Sequence, residues 1–260
     1  MSILDVKNLN ITIKEQNKII DKDINFNINA GEIFVLVGES GSGKTMLIKA
    51  ITGLINRKNI EVEGNIYLEG SDMVTLSEKK RRKYSQHISL IMQNPMTAFD
   101  PSVKIGKQMI EAALIFTKRS KKELLEEARR ALKSVNLNEA DNILNMYPHE
   151  LSGGMLQRIM IAISILSNSK LVIADEPTTA LDVITQEYIL DEIIKLKNKN
   201  IAILLVTHDF YVAKKIADKI GVIRGGKIVE IGKAKDVLEN PNHEYTKMLF
   251  EATTMHKLKR

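Results

Sequence analysis

Apolar and polar residues follow two patterns along the chain. Near the N-terminus they alternate, at 11–13 and again at 24–28, which is typical of antiparallel strands with one exposed face. Continuous apolar runs, typical of strands buried on both faces, cover 33–37, 171–174, 201–206 and 220–223. Helical patterns over 44–55 and 182–197 lie between such runs. This order of strand, helix and strand predicts an α/β fold with a mainly parallel sheet.

The middle of the chain has a different pattern. From about residue 103 to residue 147 the apolar positions recur at helical spacing, and Ser120 with Glu123 forms a capping-box signature ahead of one such stretch. No internal repeat, low-complexity tract or Pro/Gly-rich linker interrupts the sequence. We therefore expect a single domain over 1–260 that carries a helical insertion.

The expected parts of this domain follow from where the patterns change. A core with a small antiparallel β-subdomain is expected at about 1–95 and 167–240. The inserted helical subdomain is expected at about 100–166, and a helical C-terminal end at about 241–260.

Composition excludes several classes of site and location. The 260 residues include no Cys, which excludes disulfides, thiolate metal sites and cysteine nucleophiles. The longest apolar run, 159–166, is too short to span a bilayer, and the N-terminus does not resemble a signal peptide. The net charge of +6 permits nucleic-acid binding, but basic clusters such as 79–83 are short and are interpreted as solvated surface. We expect a cytosolic protein that binds no nucleic acid and docks on a membrane only through partners.

A phosphate-binding loop is the first chemical motif. Residues 38–45 read Gly-Glu-Ser-Gly-Ser-Gly-Lys-Thr and match G-x-x-x-x-G-K-[ST] between a buried strand and a helix. Backbone N–H groups and the helix N-terminus attract phosphate, Lys44 neutralises it, and Thr45 offers a hydroxyl to Mg²⁺. The expected nucleotide contacts are Gly38, Ser40, Gly41, Ser42, Gly43, Lys44 and Thr45.

Two carboxylates follow the buried strand at 171–174. Asp175 is expected to hold Mg²⁺, and Glu176 to polarise an attacking water as a general base. Taken alone the pair is equally well explained as ordinary exposed residues after a strand. With a phosphate loop upstream, the strand end becomes the place where α/β sheets put their ligands.

A third motif indicates the family. Residues 151–155, Leu-Ser-Gly-Gly-Met, precede a helical run that starts at Leu156. In isolation this is a turn with an N-cap at Ser152 and no ligand. In this order and spacing it resembles the signature motif of ABC-transporter ATPases. Gln93 resembles their Q-loop glutamine, residues 179–182 their D-loop, and His208 their switch histidine.

The resemblance implies a P-loop NTPase (RecA-like) core with a small antiparallel β-subdomain and an inserted helical subdomain. It implies a head-to-tail dimer with ATP sandwiched between the phosphate loop of one protomer and the signature of the other. The residues that would contact the nucleotide from across the dimer are Ser152, Gly153, Gly154 and Asp182. Those implied to act in hydrolysis are Glu176, His208 and Gln93, and those implied to hold Mg²⁺ are Thr45, Gln93 and Asp175.

A narrower resemblance concerns the transported solute. Residues 93–101, 225–230 and 241–246 are similar to segments of peptide and nickel importer ATPases, and the chain ends without the cysteine-rich extension of many such proteins. The implied function is import of a peptide, nickel or a metal–metallophore complex. The implied partners are two integral-membrane permeases, a second homologous ATPase that forms a heterodimer and, indirectly, an extracellular solute-binding protein. The implied location is the cytoplasmic face of the membrane.

Other functions fit the sequence less well. An ABC-type exporter remains an alternative, as does the ATPase of a DNA-repair or chromosome-associated complex. ATPases of DNA-repair and chromosome-associated complexes insert long coiled coils or zinc modules between the phosphate loop and the signature. Translation-type factors carry two cassettes in one chain, and stand-alone phosphate-loop kinases need no signature. One family feature is missing: no adenine-stacking aromatic occurs near 14–18, so Ile19 or Ile20 is expected to give only apolar contact and weak base discrimination.

Overall fold

The computed structural model describes residues 2–115, 119–179 and 182–257, which contain both strands and helices. The strands are β1 (Ser2–Ile13), β2 (Lys18–Asn29), β3 (Ile33–Val37), β4 (Ile60–Leu68), β5 (Ser71–Asp72), β6 (Ile88–Ile91), β7 (Leu171–Asp175), β8 (Ala202–Thr207), β9 (Lys219–Arg224) and β10 (Lys227–Lys233). The helices are α1 (Lys44–Thr52), α2 (Glu78–Ser85), α3 (Ile105–Leu114), α4 (Lys121–Ser134), α5 (Ala140–Asn145), α6 (Gly153–Leu166), α7 (Val183–Asn198), α8 (Phe210–Ile216), α9 (Ala234–Glu239) and α10 (Glu244–Lys257). Short 3₁₀ helices cover Pro95–Ala98 and Pro148–Glu150. None of the helices in the described ranges is long and apolar enough to cross a membrane.

The chain forms two compact units. The first unit comprises Met1–Ser85 and Ala202–Arg260, and the second unit comprises Gln86–Ile201.

An antiparallel sheet in the order β2-β1-β4-β5 forms one layer of the first unit. Its long strands bury alternate residues, because one face packs inward and the other meets solvent. On the inner face Phe26 stacks on Phe34 of β3 with ring centroids 4.8 Å apart. The alternating pattern of the N-terminal sequence therefore produces the antiparallel sheet that it predicted.

The parallel strands of the first unit position a loop. β3 pairs in parallel with β8 on one side and β9 on the other, and β10 closes onto β9 in antiparallel register. Every residue of β3 is buried, as its unbroken apolar sequence predicted. Parallel strands end together, so the residues after β3 and after β8 emerge at the same edge.

The second unit combines a parallel strand pair with helices. β6 pairs with β7 from Ile88 opposite Leu171 to Ile91 opposite Ala174. The predicted capping box opens α4: Ser120 Oγ accepts from the Glu123 N–H, and the Glu123 carboxylate accepts from the Ser120 N–H at 2.8 Å. Leu124, Ala128 and Leu132 form the buried stripe of that helix.

The structure gives the bounds of two helical regions more finely than the sequence pattern does. The helical stretch expected over about 103–147 consists of three helices, α3, α4 and α5. The helix that follows Ser152 starts at Gly153, as the predicted N-cap implies, three residues before the apolar run that begins at Leu156. Glycine is a poor helix former, but the Ser152 side chain caps this end and allows the first turn to form there.

Candidate nucleotide-binding site

The phosphate loop turns sharply between β3 and α1. Gly41 and Gly43 have φ angles of 80° and 110°, which lie in the left-handed region that favours glycine. Gly38 is needed for another reason: a Cβ there would lie 2.4 Å from the Ile223 carbonyl oxygen. Ser40, Gly41 and Thr45 are exposed, so a ligand can reach the loop from solvent.

Lys44 curls back over this loop. Its side chain is buried, and Nζ donates to the carbonyl oxygens of Gly38 at 2.5 Å and Glu39 at 2.7 Å. These bonds hold the ammonium at the loop, near the N-terminus of α1. The N-cap of that helix is Gly43, which has no side chain to satisfy the first N–H groups. A positive side chain and an uncapped helix N-terminus together suit an anion.

His208 lies at the same edge of the first unit. It is exposed and follows β8, whose last residue, Thr207, accepts a hydrogen bond from the Gly38 N–H through its carbonyl oxygen. The next residue, Asp209, caps α8 by accepting from the Tyr211 N–H at 2.8 Å. The first unit therefore brings the end of β8, which His208 follows, to the start of the phosphate loop.

The carboxylate pair of the second unit lies at the end of β7. Asp175 is the last strand residue, and Glu176 follows with a φ of 46°, which is unusual for a residue with a side chain. The Glu176 carboxylate accepts from the Thr179 hydroxyl at 2.7 Å. Such a backbone conformation needs support from its surroundings, and this hydrogen bond orients the side chain.

A supporting residue was missed in the sequence. Gln157, fully buried on α6, donates through Nε2 to the Pro177 carbonyl oxygen at 2.6 Å. This bond ties the helix after the signature to the segment after Glu176. A buried amide on an apolar helix is the only sequence signal of this role, and it does not identify the partner.

The signature residues form the N-terminus of α6. Ser152 is the N-cap, and its Oγ accepts from the Met155 N–H at 3.3 Å. Gly153 and Gly154 begin the first turn, and Ser152 and Gly153 are exposed. A Cβ on Gly153 would meet no atom nearer than Pro95 Cγ at 3.9 Å, so the backbone there is bare toward solvent.

Gln93 and Asp182 also lie in the second unit. Gln93 is exposed, two residues after β6 and just before the 3₁₀ helix that Asn94 caps. Asp182 caps α7, accepting from the Thr185 N–H at 3.0 Å and from the Thr185 hydroxyl at 2.6 Å. The Thr185 hydroxyl, then its N–H, holds the pKa of Asp182 below the ordinary value. Ala180 and Leu181 of the expected D-loop lie outside the described residues.

The predicted residues thus divide between the units. The first unit holds the phosphate loop and His208, and the second holds Gln93, the signature, Asp175, Glu176 and Asp182. Across the described residues, no group of three or more His, Asp or Glu side chains forms a metal site by itself. Thr45 in the first unit and Asp175 in the second unit each carry an oxygen ligand of the kind that Mg²⁺ prefers.

Comparison with known proteins decides the family. Residues 22–179 match the family model described as ABC transporter. The chain belongs to the ABC transporter family. It is 42% identical over 251 residues to the metal-staphylopine import system ATP-binding protein CntD of Staphylococcus aureus (strain Mu50 / ATCC 700699), covering 96% of this chain and 92% of that one. It is 40% identical over 255 residues to the oligopeptide transport ATP-binding protein OppD of Escherichia coli K12, covering 96% and 75%.

A solved structure of the family supports the same assignment. The ABC cassette MJ0796, in a dimeric post-hydrolysis state bound to ADP and Pi, has a TM-score of 0.78 with 28% identity over 89% of this chain and 98% of that one. The predicted resemblance, the P-loop NTPase fold and the transport-ATPase class are confirmed.

Proposed function

We propose that this chain is an ATP-hydrolysing subunit that dimerises around ATP and powers import of a small solute through partner membrane permeases. The observation that carries the proposal is the pair of helix N-termini in one ABC-family chain: α1 behind a phosphate loop with Lys44, and α6 behind an exposed signature. A head-to-tail dimer would place one of each kind at every nucleotide. The MJ0796 cassette, which is dimeric and bound to ADP and Pi, supports dimerisation as part of this proposal.

Within one protomer the phosphate loop binds the ATP phosphates. Lys44 exchanges its bonds to the Gly38 and Glu39 carbonyls for phosphate oxygens, so its charge is neutralised by the nucleotide. Thr45, Gln93 and Asp175 would hold Mg²⁺, which supplies positive charge to the β- and γ-phosphates. The other contacts of the loop come from the backbone and side chains of residues 38–43.

Hydrolysis depends on the second set of residues. Glu176 accepts a proton from the attacking water, and Gln93 and His208 orient the water and the γ-phosphate. The partner protomer contributes Ser152, Gly153 and Gly154, whose helix N-terminus faces the γ-phosphate, together with Asp182. ATP thereby closes the dimer, and its loss opens it.

The chain is similar to ATP-binding subunits of multi-component importers, and the finer picture is part of the proposal. We infer two integral-membrane permeases, a second homologous ATPase that forms a heterodimer, and an extracellular solute-binding protein that acts indirectly. The complex would lie at the cytoplasmic face of the membrane and would bind no nucleic acid. The solute is a peptide, nickel or a metal–metallophore complex, in keeping with the CntD and OppD relatives.

The subdivision expected from the sequence also remains a proposal. In it, the core and β-subdomain cover about 1–95 and 167–240, the helical subdomain about 100–166, and the C-terminal end about 241–260. The helical subdomain would be the part that contacts the permeases.

The test traps the closed state. A tagged Glu176→Gln protein binds ATP without hydrolysing it, so the assembled complex should accumulate in cells and co-purify from detergent-solubilised membranes. Two permeases and a second ATPase in the purified complex are the expected result, with ATP turnover reduced by about 1,000-fold or more. Glu126→Gln, which removes the same charge from an exposed ion pair on α4, is the matched control and should keep full turnover.

Two outcomes would overturn the proposal. Unchanged turnover in Glu176→Gln would remove Glu176 from its role as the base. Recovery only with ribosomes or nucleic acid, and with no permease, would mean that the ATPase drives a different machine.

A further inference from the structure

A buried carboxyl group lies against the phosphate loop and has no role in the mechanism above. Asp21 on β2 is fully buried, and neither of its carboxylate oxygens has a hydrogen-bond partner. Its Oδ1 lies 2.0 Å from the position that a Cβ on Gly43 would occupy. Gly43 is the N-cap of α1, so this carboxyl group lies directly beside the helix N-terminus that is expected to bind phosphate.

Backbone hydrogen bonds hold Asp21 in this place. The Lys22 N–H donates to the Gly226 carbonyl oxygen at 2.7 Å, and the Gly226 N–H donates to the Ser42 carbonyl oxygen at 3.0 Å. Gly226 packs so closely that a Cβ there would lie 1.8 Å from the Ile20 carbonyl oxygen. The turn between β9 and β10 thus ties β2 to the phosphate loop. Neither Asp21 nor the loop can move away without breaking this connection.

Burial raises the pKa of Asp21 from 3.8 to about 7. The charged or titratable side chains on the elements packed around it are Asp5 and Lys7 on β1, Lys18, Lys22 and Asp23 on β2, Glu39 on the phosphate loop, Lys44 and Lys49 on α1, and Lys219, Arg224, Lys227, Glu230 and Lys233 on β9 and β10. Lys44 bonds to loop carbonyls, and Arg224 lies over the Tyr245 ring. β1 contributes Ile11 opposite Asp21, and β8 carries no titratable side chain. Desolvation is the cause of the shift, so neutral and ionised forms of Asp21 coexist near neutral pH.

We propose that Asp21 is a positioning residue for nucleotide binding that acts through Gly43, and that ATP binding therefore takes up a proton. The neutral carboxyl group places no charge behind the loop. The ionised carboxylate places a negative charge against Gly43, beside the expected phosphate site, where burial leaves it poorly solvated. The inference rests on the proposed binding of ATP by this loop.

The sign of the pH dependence follows from linkage. Phosphates near Asp21 disfavour its ionised form, so bound nucleotide raises its pKa above the value in the free protein. At a pH between the two values the complex carries one proton more than the free protein. Above the free-protein pKa, ATP affinity therefore falls with rising pH, by up to about tenfold per pH unit.

Calorimetry of the full chain provides the test, with the non-hydrolysable analogue AMP-PNP and excess Mg²⁺. Titration at pH 7.5 in two buffers of different ionisation enthalpy measures the protons taken up on binding. The wild-type chain is expected to take up roughly half a proton or more beyond Asp21→Asn, and to lose about tenfold in affinity from pH 6.5 to pH 8.5. Asp21→Asn keeps the shape of the side chain but cannot ionise. Its affinity for AMP-PNP should therefore change with pH only as far as the titration of the analogue itself requires. Titration of the analogue itself is common to both proteins.

Control variants make the result specific. Asp23→Asn removes an exposed carboxylate from the same strand and should behave as the wild type does. Asp21→Val is a second neutral variant in case Asp21→Asn folds poorly. Equal proton uptake in the wild type and either neutral variant would overturn the inference, as would a wild-type affinity that does not change with pH. Absence of nucleotide binding by the wild type at every pH would instead overturn the proposed role of the phosphate loop.

Discussion

The N-termini of α1 and α6 are both expected to face phosphate, yet they are built in opposite ways. α1 begins after Gly43, which has a φ of 110° and no side chain, so nothing caps the helix from within. α6 begins after Ser152, whose φ of −71° is ordinary and whose hydroxyl accepts from the Met155 N–H. Capping stabilises a helix by about 1 kcal/mol. The first end gives up that stability and keeps its N–H groups available for a ligand, whereas the second end is stable without one.

The glycines of the two ends consequently have different reasons to be there. Gly43 has a positive φ that favours glycine, and a Cβ there would collide with the Asp21 carboxyl group. Neither reason applies to Gly153: it is helical, and the space around a Cβ there is open. A requirement for glycine at Gly153 would therefore come from something outside the protomer, which is what a partner's nucleotide would supply.

Removing Lys44 should have the largest effect on binding. Lys44→Ala takes one positive charge and its hydrogen bonds from the phosphate site, which weakens ATP binding by about 100-fold or more. Titration with a fluorescent ATP analogue measures this. Lys49→Ala on the exposed face of the same helix is the control and should keep the wild-type affinity. Normal affinity in Lys44→Ala would contradict the assignment of α1 as the phosphate-binding end.

Alanine at the two helix starts tests the contrast directly. Gly43→Ala forces a Cβ into the space of Asp21 at an unfavourable φ, so we expect a loss of about 2–3 kcal/mol in the free energy of unfolding. Gly153→Ala replaces a helical glycine and should keep or raise stability by up to about 1 kcal/mol. Thermal or urea unfolding measures both.

ATP turnover shows whether Gly153→Ala affects function as well as stability. If the partner's nucleotide approaches the bare backbone of Gly153, the stable Gly153→Ala protein should lose about tenfold or more in ATP turnover, an added barrier of about 1.4 kcal/mol. Full turnover would mean that the start of α6 does not touch nucleotide.

Ser152→Ala should have a smaller effect on stability. It removes the cap of α6 and costs about 1 kcal/mol of unfolding free energy. Ser120→Ala removes the equivalent cap of α4, where no ligand is expected, and should cost a similar amount. Only Ser152→Ala is expected to lower ATP turnover as well. Equal turnover in the two variants would show that Ser152 is a cap and nothing more.

The strands and the loop motifs were predictable from the sequence because each depends on local pattern. The continuous apolar run of residues 33–37 is typical of a strand buried on both faces, and β3 is buried at every position. The apolar helical pattern begins only at Leu156, whereas α6 begins at Gly153, directly after the Ser152 cap. A capped end overrides the low propensity of two glycines.

The buried position of Asp21 could not be predicted. The residues that β2 buries at its C-terminal half are Ile24, Phe26 and Ile28, and the same alternation carried back would bury Lys22. Asp23 has a φ of 52°, and the register of β1 with β2 shifts between Ile24 and Asp21. Such a bulge exchanges the two faces of the strand, so Asp21 turns inward and Lys22 outward. Nothing in the sequence marks the bulge.

Base recognition should show the smallest effect. The turn at 14–17 and the start of β2 carry no aromatic ring, and Ile19 is 55% exposed. A stacked aromatic would contribute about 1–3 kcal/mol per base, so its absence leaves phosphate contacts to dominate the affinity. We expect ATP and GTP to bind this chain within about threefold of each other, below about 1 kcal/mol.

A variant that adds an aromatic ring tests whether the missing ring is the reason for similar ATP and GTP affinities. Ile19→Tyr adds a ring at an exposed position of the first unit, so affinity for both nucleotides should rise, while Ile19→Ala should change it little. Competition between ATP and GTP for a fluorescent analogue measures the ratio in all three proteins. Strong adenine selectivity in the wild type would mean that the base is held by a group other than Ile19 or Ile20. Contacts to the base would then contribute to nucleotide affinity in addition to the phosphate contacts at the start of α1. A comparison of α1 with α6 alone would not account for how this chain selects ATP.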